Sequence, residues 1–334
     1  MKDEANQAKT KLLIQCLKEI QDDFFKTFGV TDIISNSKIF EIVIANDLGH
    51  ILIPGHSGSR DAKNEKGEEY EYKHYKESSS NHTWTFNDFT DTTIEKLKKV
   101  KAVIFAHIDD SGTFPKFDWY YDIPGPVISG YLAEKTKLIK NARKMINVGP
   151  SQIEENLGIK KTHNEFDCKK GEYFKWLEEI NTIAREIEDI TGTKGVLTSN
   201  KFWEVLVALI LGHKVLSEQA GHDAVDKENK YYEYKVSKTP SWNFQDISNA
   251  VLKKYKDDNR MVLAIVDKDK FLIKEINEAG PIATIRRLKQ KLKEKKARYK
   301  LKKKILRRLQ VSLSRGDLKK IKAKLIYKLP KEDA

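Results

Sequence analysis

At 334 residues and 39% hydrophobic, the chain is long enough for two modest domains with real cores. Its two cysteines, Cys16 and Cys168, are far apart in sequence, suit a reducing compartment and are too few for a thiolate zinc centre. The net charge of +13 is unevenly placed: 284–334 carry 21 Lys/Arg against 4 Asp/Glu, while the preceding 283 residues are slightly acidic. Such a block fits a polyanion, because neutralising phosphates releases condensed counterions, or it forms a solvated helix or a disordered tail. The charged start lacks a signal-type apolar core. The longest apolar run, Trp203 to Gly212, contains Glu204 and is too short for a bilayer. A cytoplasmic protein with no membrane partner is expected.

In chain order, the spacing of Leu12, Leu13, Leu17, Ile20 and Phe24 predicts a helix over 10–28, stopped by Gly29. Ser35-Asn36-Ser37 offers caps for a second helix, which opens Lys38-Ile-Phe-Glu41 and closes Leu48-Gly49-His50. Asp61 follows, then a turn, then Glu71-Tyr72-Lys73 on a returning strand. Trp84 and Phe86 alternate as in a strand, with Asp88 the expected N-cap of a helix over 89–99. Ala102 to Ala106 is short and apolar enough for a buried strand. Phe114 to Tyr121, around Trp119, is expected to be an inserted aromatic loop. Gly125-Pro126 then precedes a basic helix containing Arg143.

The same series returns. After Gly192 and Thr198-Ser199-Asn200 comes Lys201-Phe-Trp-Glu204, closing Leu211-Gly212-His213. Asp223 and Glu233-Tyr234-Lys235 repeat the spacing of Asp61 and Glu71-Tyr72-Lys73, and Trp242 and Phe244 repeat Trp84 and Phe86. Asp246 is the expected cap of a helix over 247–257. Met261 to Val266, Gly280-Pro281 and Arg298 complete the match. A period near 160 residues is too long for a solenoid and indicates tandem domains from a duplication. The expected organisation is 1–149 as the first repeat, 150–170 as a connector, 171–306 as the second repeat and 307–334 as a basic tail. The order of elements predicts an α/β protein: in each repeat a small mixed sheet flanked by helices, plus a basic helical C-terminal extension.

Side chains alternate on a strand, so Glu71 and Lys73 share a face, as do Glu233 and Lys235, while Tyr72 and Tyr234 point the other way. Paired carboxylates are costly unless a cation neutralises them, and hard oxygens suit Mg2+, which keeps waters and takes one or two carboxylates beside a phosphate. A neighbouring lysine positions or deprotonates water, or stabilises charge developing on phosphorus. The plainer reading of Glu-x-Lys is a solvated strand face with ion pairs. Glu41 and Glu204 lie on apolar helix faces, where a carboxylate either pairs with a lysine or backbone group or joins the metal cluster.

A helix glutamate, then Asp, a hairpin, Glu-x-Lys, a strand and a helix resembles the PD-(D/E)XK nuclease superfamily, the fold of most Type II restriction endonucleases. The resemblance covers both repeats. It implies two tandem restriction-endonuclease-like domains in which Asp61, Glu71, Asp223 and Glu233 bind Mg2+. It further implies that Lys73 and Lys235 are the catalytic lysines and that Glu41 and Glu204 are accessory glutamates. Arg60 and His222 stand where proline precedes the aspartate in the superfamily's pattern, and Asn87 and Gln245 match a polar residue near the site in some members. The expected activity is hydrolysis of both strands of double-stranded DNA by a monomeric pseudo-dimer, with a cognate DNA methyltransferase in the same system. A repair or recombination nuclease that reads DNA structure, and a DNA-binding protein with non-catalytic repeats, are the alternatives. Arg286, Arg287, Lys289, Lys295, Lys296, Arg298, Lys302, Arg307 and Arg308 are expected to contact phosphates.

Overall fold

The computed structural model describes residues 2–34, 38–54, 60–86, 90–112, 114–139, 145–198, 201–216, 221–245, 247–303 and 309–330. The expected helix caps at 35–37, 88, 199–200 and 246, and Asn87, Arg143, Arg307 and Arg308, lie outside these residues.

The first repeat opens with α1 (Lys2–Phe28) and α2 (Lys38–Leu48). Then come β1 (Ile51–Leu52), β2 (Ala62–Lys63), β3 (Glu69–Lys76), β4 (Trp84–Phe86), α3 (Asp91–Leu97), β5 (Ala102–Asp109) and β6 (Lys116–Pro124). It closes with α4 (Gly125–Lys137), β7 (Ile146–Val148), α5 (Pro150–Leu157) and β8 (Thr162–His163). The second repeat follows the same order: α6 (Phe174–Thr191), α7 (Lys201–Leu211), β9 (Lys214–Val215), β10 (Ala224–Val225), β11 (Tyr231–Ser237) and β12 (Ser241–Phe244). It continues with α8 (Asn249–Asp257), β13 (Arg260–Asp267), β14 (Leu272–Ala279), α9 (Pro281–Leu301), β15 (Val311–Ser314), α10 (Arg315–Lys320) and β16 (Lys324–Lys328). The fold is therefore mixed α/β, with two similar mixed sheets flanked by helices.

Each main sheet has six strands, ordered β1-β2-β3-β5-β6-β8 and β9-β10-β11-β13-β14-β16. The one parallel pair in each is central: β3 with β5, and β11 with β13. Of these, β5 and β13 read as nearly continuous apolar runs because both faces are covered. A two-stranded ribbon accompanies each sheet, β4 with β7 and β12 with β15. Trp84 and Trp242 anchor the ribbons to the sheets, donating their indole N–H to Ala106 O at 2.8 Å and Ala264 O at 2.9 Å. Gly29 and Gly192 follow their opening helices with φ of +69°, a left-handed conformation that glycine adopts without a Cβ penalty.

The chain divides into two compact units, Met1–Lys18 with Glu186–Ala334, and Glu19–Arg185. Both α1 and α6 therefore contribute to both units.

Three expectations are corrected. The aromatic segment around Trp119 is an interior strand, β6, paired with β5 and matched by β14 in the other repeat. Its alternation explains this, since Phe117, Tyr121 and Ile123 are buried between more exposed neighbours. The residues expected as connector hold α5 and β8, and those expected as tail hold β15, α10 and β16, of which α10 and β16 match α5 and β8 and β15 matches β7. Lys, Arg and Pro obscure these short elements, although Val311, Leu313, Leu318 and Ile321 pack into the second core. The helices α3 and α8 open at Asp91 and Asn249, capped by Thr90 and Ser248, whose hydroxyls accept from Thr93 N at 3.3 Å and Val251 N at 3.2 Å.

Candidate active sites

The two sites are built by the same parts. The turn between β2 and β3 reverses the chain, so Ala62 faces Tyr70 and Asp61 N donates to Tyr70 O at 2.8 Å. This brings Asp61 level with the middle of β3, where Tyr72 N donates to Asp61 Oδ2 at 2.7 Å. In the other hairpin Tyr234 N donates to Asp223 Oδ2 at 2.7 Å. Lys73 donates to Glu71 Oε1 and to Tyr72 O, and Lys235 donates to Glu233 Oε1 and to Tyr234 O. The ammonium groups also lie 5.6 Å from the ring centre of Phe86 and 5.8 Å from that of Phe244.

Glu71 and Glu233 are 7% and 4% exposed, which rules out the solvated strand face. In both glutamates Oε2 is buried and, among the described residues, has no hydrogen-bond partner. A buried carboxylate oxygen without a partner is unfavourable, and a hard cation satisfies it. Among the described residues no three His, Cys, Asp or Glu side chains are arranged to hold a metal ion unaided. A pair of carboxylates with waters and a substrate phosphate is the usual Mg2+ environment, and Asp61 with Glu71, or Asp223 with Glu233, fits it.

The electrostatics agree. Burial pushes Asp61 up to about 6, with Glu41 adding to the shift and Lys73 opposing it. Burial pushes Glu71 up to about 7, opposed by Lys73 and reinforced by Asp61. Glu233 is raised by burial against the pull of Lys235. Burial works against the charge of Lys73 and of Lys235, but the neighbouring carboxylates outweigh it and raise both. Both lysines are therefore cations near neutral pH.

Glu41 and Glu204 take the lysine-paired option. Lys38 and Lys201, one turn earlier on the same helices, are only 4% and 5% exposed. Lys38 donates to Glu41 Oε2, and Lys201 to Glu204 Oε2 at 2.6 Å. Glu204 still senses its aspartate: burial raises Glu204 to about 7, and Asp223 adds to the shift. Each site thus gathers three carboxylates and two lysines, of which sequence reasoning assigned no role to Lys38 and Lys201. Their signal was present in the repeated Lys-x-x-Glu.

The closing Gly-His of each helix is also structural. His50 Nδ1 lies 2.8 Å from Tyr72 OH, and His213 Nδ1 lies 2.7 Å from Tyr234 OH. These contacts hold the tyrosine face of the strand opposite the carboxylates.

The sites differ beside the aspartates, where the second has His222 and Asp258 and the first has Arg60 and Val100. His222 Nδ1 lies 2.7 Å from Asp258 Oδ1, and Asp258 is buried. By strand register the place of Asp258 is taken by Val100 in the first repeat, because Asn259 N and Lys101 N make equivalent bonds to Tyr231 O and Glu69 O. Burial raises Asp258 to about 6, opposed by His222 and reinforced by Glu233 and Asp223.

Of the expected phosphate contacts, Arg286, Lys289, Lys296, Arg298 and Lys302 are exposed on or just after α9. Arg287 and Lys295 are not free in this way. Arg287 Nε donates to the buried Asp317 at 2.7 Å, joined by Lys291 at 2.6 Å, and Lys295 donates to Gln310 O at 2.6 Å. Among the described residues no helix is long and apolar enough to cross a membrane. No protein-family model matches the chain, and no curated protein is detectably similar to it.

Proposed function

We propose that the chain is a Mg2+-dependent endonuclease of the PD-(D/E)XK type that acts on double-stranded DNA, with one active site per repeat. The observation that carries this reading is that Glu71 Oε2 and Glu233 Oε2 are buried and, among the described residues, have no partner, each beside an aspartate fixed by a backbone N–H and a charged lysine. The recurrence of the whole arrangement, from the helix glutamate through the hairpin to the following strand, supports a restriction-endonuclease-like fold in each repeat. A two-site chain fits a restriction enzyme, which cuts a palindrome once per strand, and a cognate methyltransferase is its expected functional partner.

Asp61 with Glu71, and Asp223 with Glu233, would hold Mg2+, which when bound polarises the phosphate and acidifies a water. The lysines act as cations, since their pKa values are raised: Lys73 and Lys235 orient a phosphate oxygen and stabilise the charge that develops there. The water oxygen bonds to phosphorus, its proton passes to solvent, and the bond from phosphorus to the leaving sugar oxygen breaks. That oxygen takes a proton from solvent. The exposed cations of α9 hold the backbone without reading sequence.

A second reading, in which one repeat cuts and the other only binds, is favoured by the His222–Asp258 pair that the first repeat lacks. The defining experiment is incubation with phage DNA and Mg2+, with an EDTA control, followed by sequencing of the ends. Discrete ends support restriction. Cleavage only at branches or flaps transfers the proposal to a repair nuclease. Intact DNA with both Mg2+ and Mn2+ removes the catalytic reading.

A further inference from the structure

The helices that open the two repeats match position for position, and the mismatch in size at Thr10 and Tyr173 lies at a cavity. Buried Thr10, Ile14, Leu17, Gln21 and Phe24 on α1 correspond to Tyr173, just before α6, and to Leu177, Ile180, Ala184 and Ile187. In the unit Glu19–Arg185, Tyr173 is 1% exposed and fills a slot beside β1. Its hydroxyl accepts from Leu52 N at 3.1 Å and donates to His50 O at 3.2 Å. The counterparts of Leu52 and His50 are Val215 and His213, and the counterpart of Tyr173 is Thr10.

In the other unit Thr10, His213 and Val215 all line a cavity of about 420 Å³. Threonine is too short to occupy the place of a phenol. Thr10 also turns its hydroxyl back to Asn6 O at 2.8 Å. Ala208 and Leu209 of α7 supply apolar wall, Gln7 supplies an amide, and Lys214 and Lys227 line the cavity with exposed ammonium side chains. Among the described residues β9 is the edge strand of its sheet, so its outer backbone groups face no further strand. The size is that of a small-molecule site.

We propose that this cavity binds a nucleotide. Its base takes the slot that Tyr173 fills in the other unit, and a donor and acceptor on the base edge replace the hydroxyl at Val215 N–H and His213 C=O. Lys214 and Lys227 take the phosphate. The same chemistry is offered by a free nucleotide or by an unpaired base of a DNA strand. The proposal does not rest on the nuclease reading, because the cavity is lined by none of Glu204, Asp223 and Glu233; the carboxylate that does line it, Asp226, accepts from Tyr232 OH at 2.9 Å.

The test is calorimetry of the full chain with each of the four deoxynucleoside 5′-monophosphates, and separately with an eight-residue single-stranded oligonucleotide. Binding in the first arm identifies a free nucleotide as sufficient, and binding in the second alone identifies a base within a strand. Thr10→Tyr refills the slot and weakens whichever binding is seen by about tenfold or more. Leu209→Trp, at a partly exposed position, narrows the cavity from another side and decides the matter where Thr10→Tyr does not fold. The proposal is overturned by no binding in either arm, or by affinity within about twofold of wild type in the folded blocking variants.

Discussion

Tyr72 donates its backbone N–H to Asp61 Oδ2 at 2.7 Å, across the hairpin, and Tyr234 does the same for Asp223. The bond sets the rotamer of each aspartate before any cation is present, so the carboxylates are held in position rather than recruited. Titration with Mn2+ should therefore show two equivalents of cation-binding sites in the wild type. Asp61→Asn and Asp223→Asn should each remove one. Unchanged stoichiometry in both variants contradicts the assignment.

The pH dependence has a defined sign. Burial raises Asp61 to about 6 and Glu71 to about 7, above ordinary values of 3.8 and 4.5, so the folded state favours their protonated forms. Their contribution to stability without divalent cations is complete below about pH 4 and is lost as pH rises through about 6 to 7. Glu71→Gln stays neutral throughout. Measured in EDTA, its melting temperature should fall less than that of the wild type between pH 4.5 and 7.5. Parallel curves exclude a buried, raised Glu71.

Lys38 and Glu41 form a pair whose cation is 4% exposed. Removing one partner of such a pair strands a charge, at a cost of about 3 kcal/mol. Urea unfolding at pH 8 should show that loss for Lys38→Met and recovery of most of it in Lys38→Met/Glu41→Leu. Additive losses in the double variant show that the two groups do not depend on each other.

The basic surface is tested by substitution rather than truncation, because β15, α10 and β16 belong to the second core and sheet. Replacing Arg286, Lys289, Lys296, Arg298 and Lys302 by alanine should flatten the salt dependence of DNA binding, by about 0.9 in log–log slope for each phosphate no longer neutralised. Arg287→Ala should instead lower the melting temperature, since it leaves buried Asp317 short of a partner. An unchanged slope in the fivefold variant removes α9 from the DNA interface.

The hairpins and both Glu-x-Lys faces are legible in the sequence because strand alternation and a repeated spacing locate them without tertiary information. Asp61 and Asp223 are legible for the same reason. The partner of Glu41 is not, because the spacing allows either Lys38 or the metal cluster, and only packing selects the lysine. Trp119 is misplaced because an aromatic-rich alternating strand looks like an insertion when its counterpart, Leu272 to Ala279, is built from aliphatic and charged residues. The Val311–Lys328 region is hidden by its lysines, which occupy the solvent side of short elements whose buried residues are few. Asp258 escapes notice because its place in the first repeat is held by valine, and a comparison that seeks likeness passes over a difference.

The central claim is that both repeats cut, one strand each. Supercoiled plasmid carrying one cleavage site, incubated with Mg2+, should go to linear product with wild-type protein and stop at the nicked circle with Asp61→Asn or Asp223→Asn, the second strand slowing by roughly 10²–10³-fold. The double variant should leave the plasmid intact. Linear product at the wild-type rate from either single variant contradicts the two-site account.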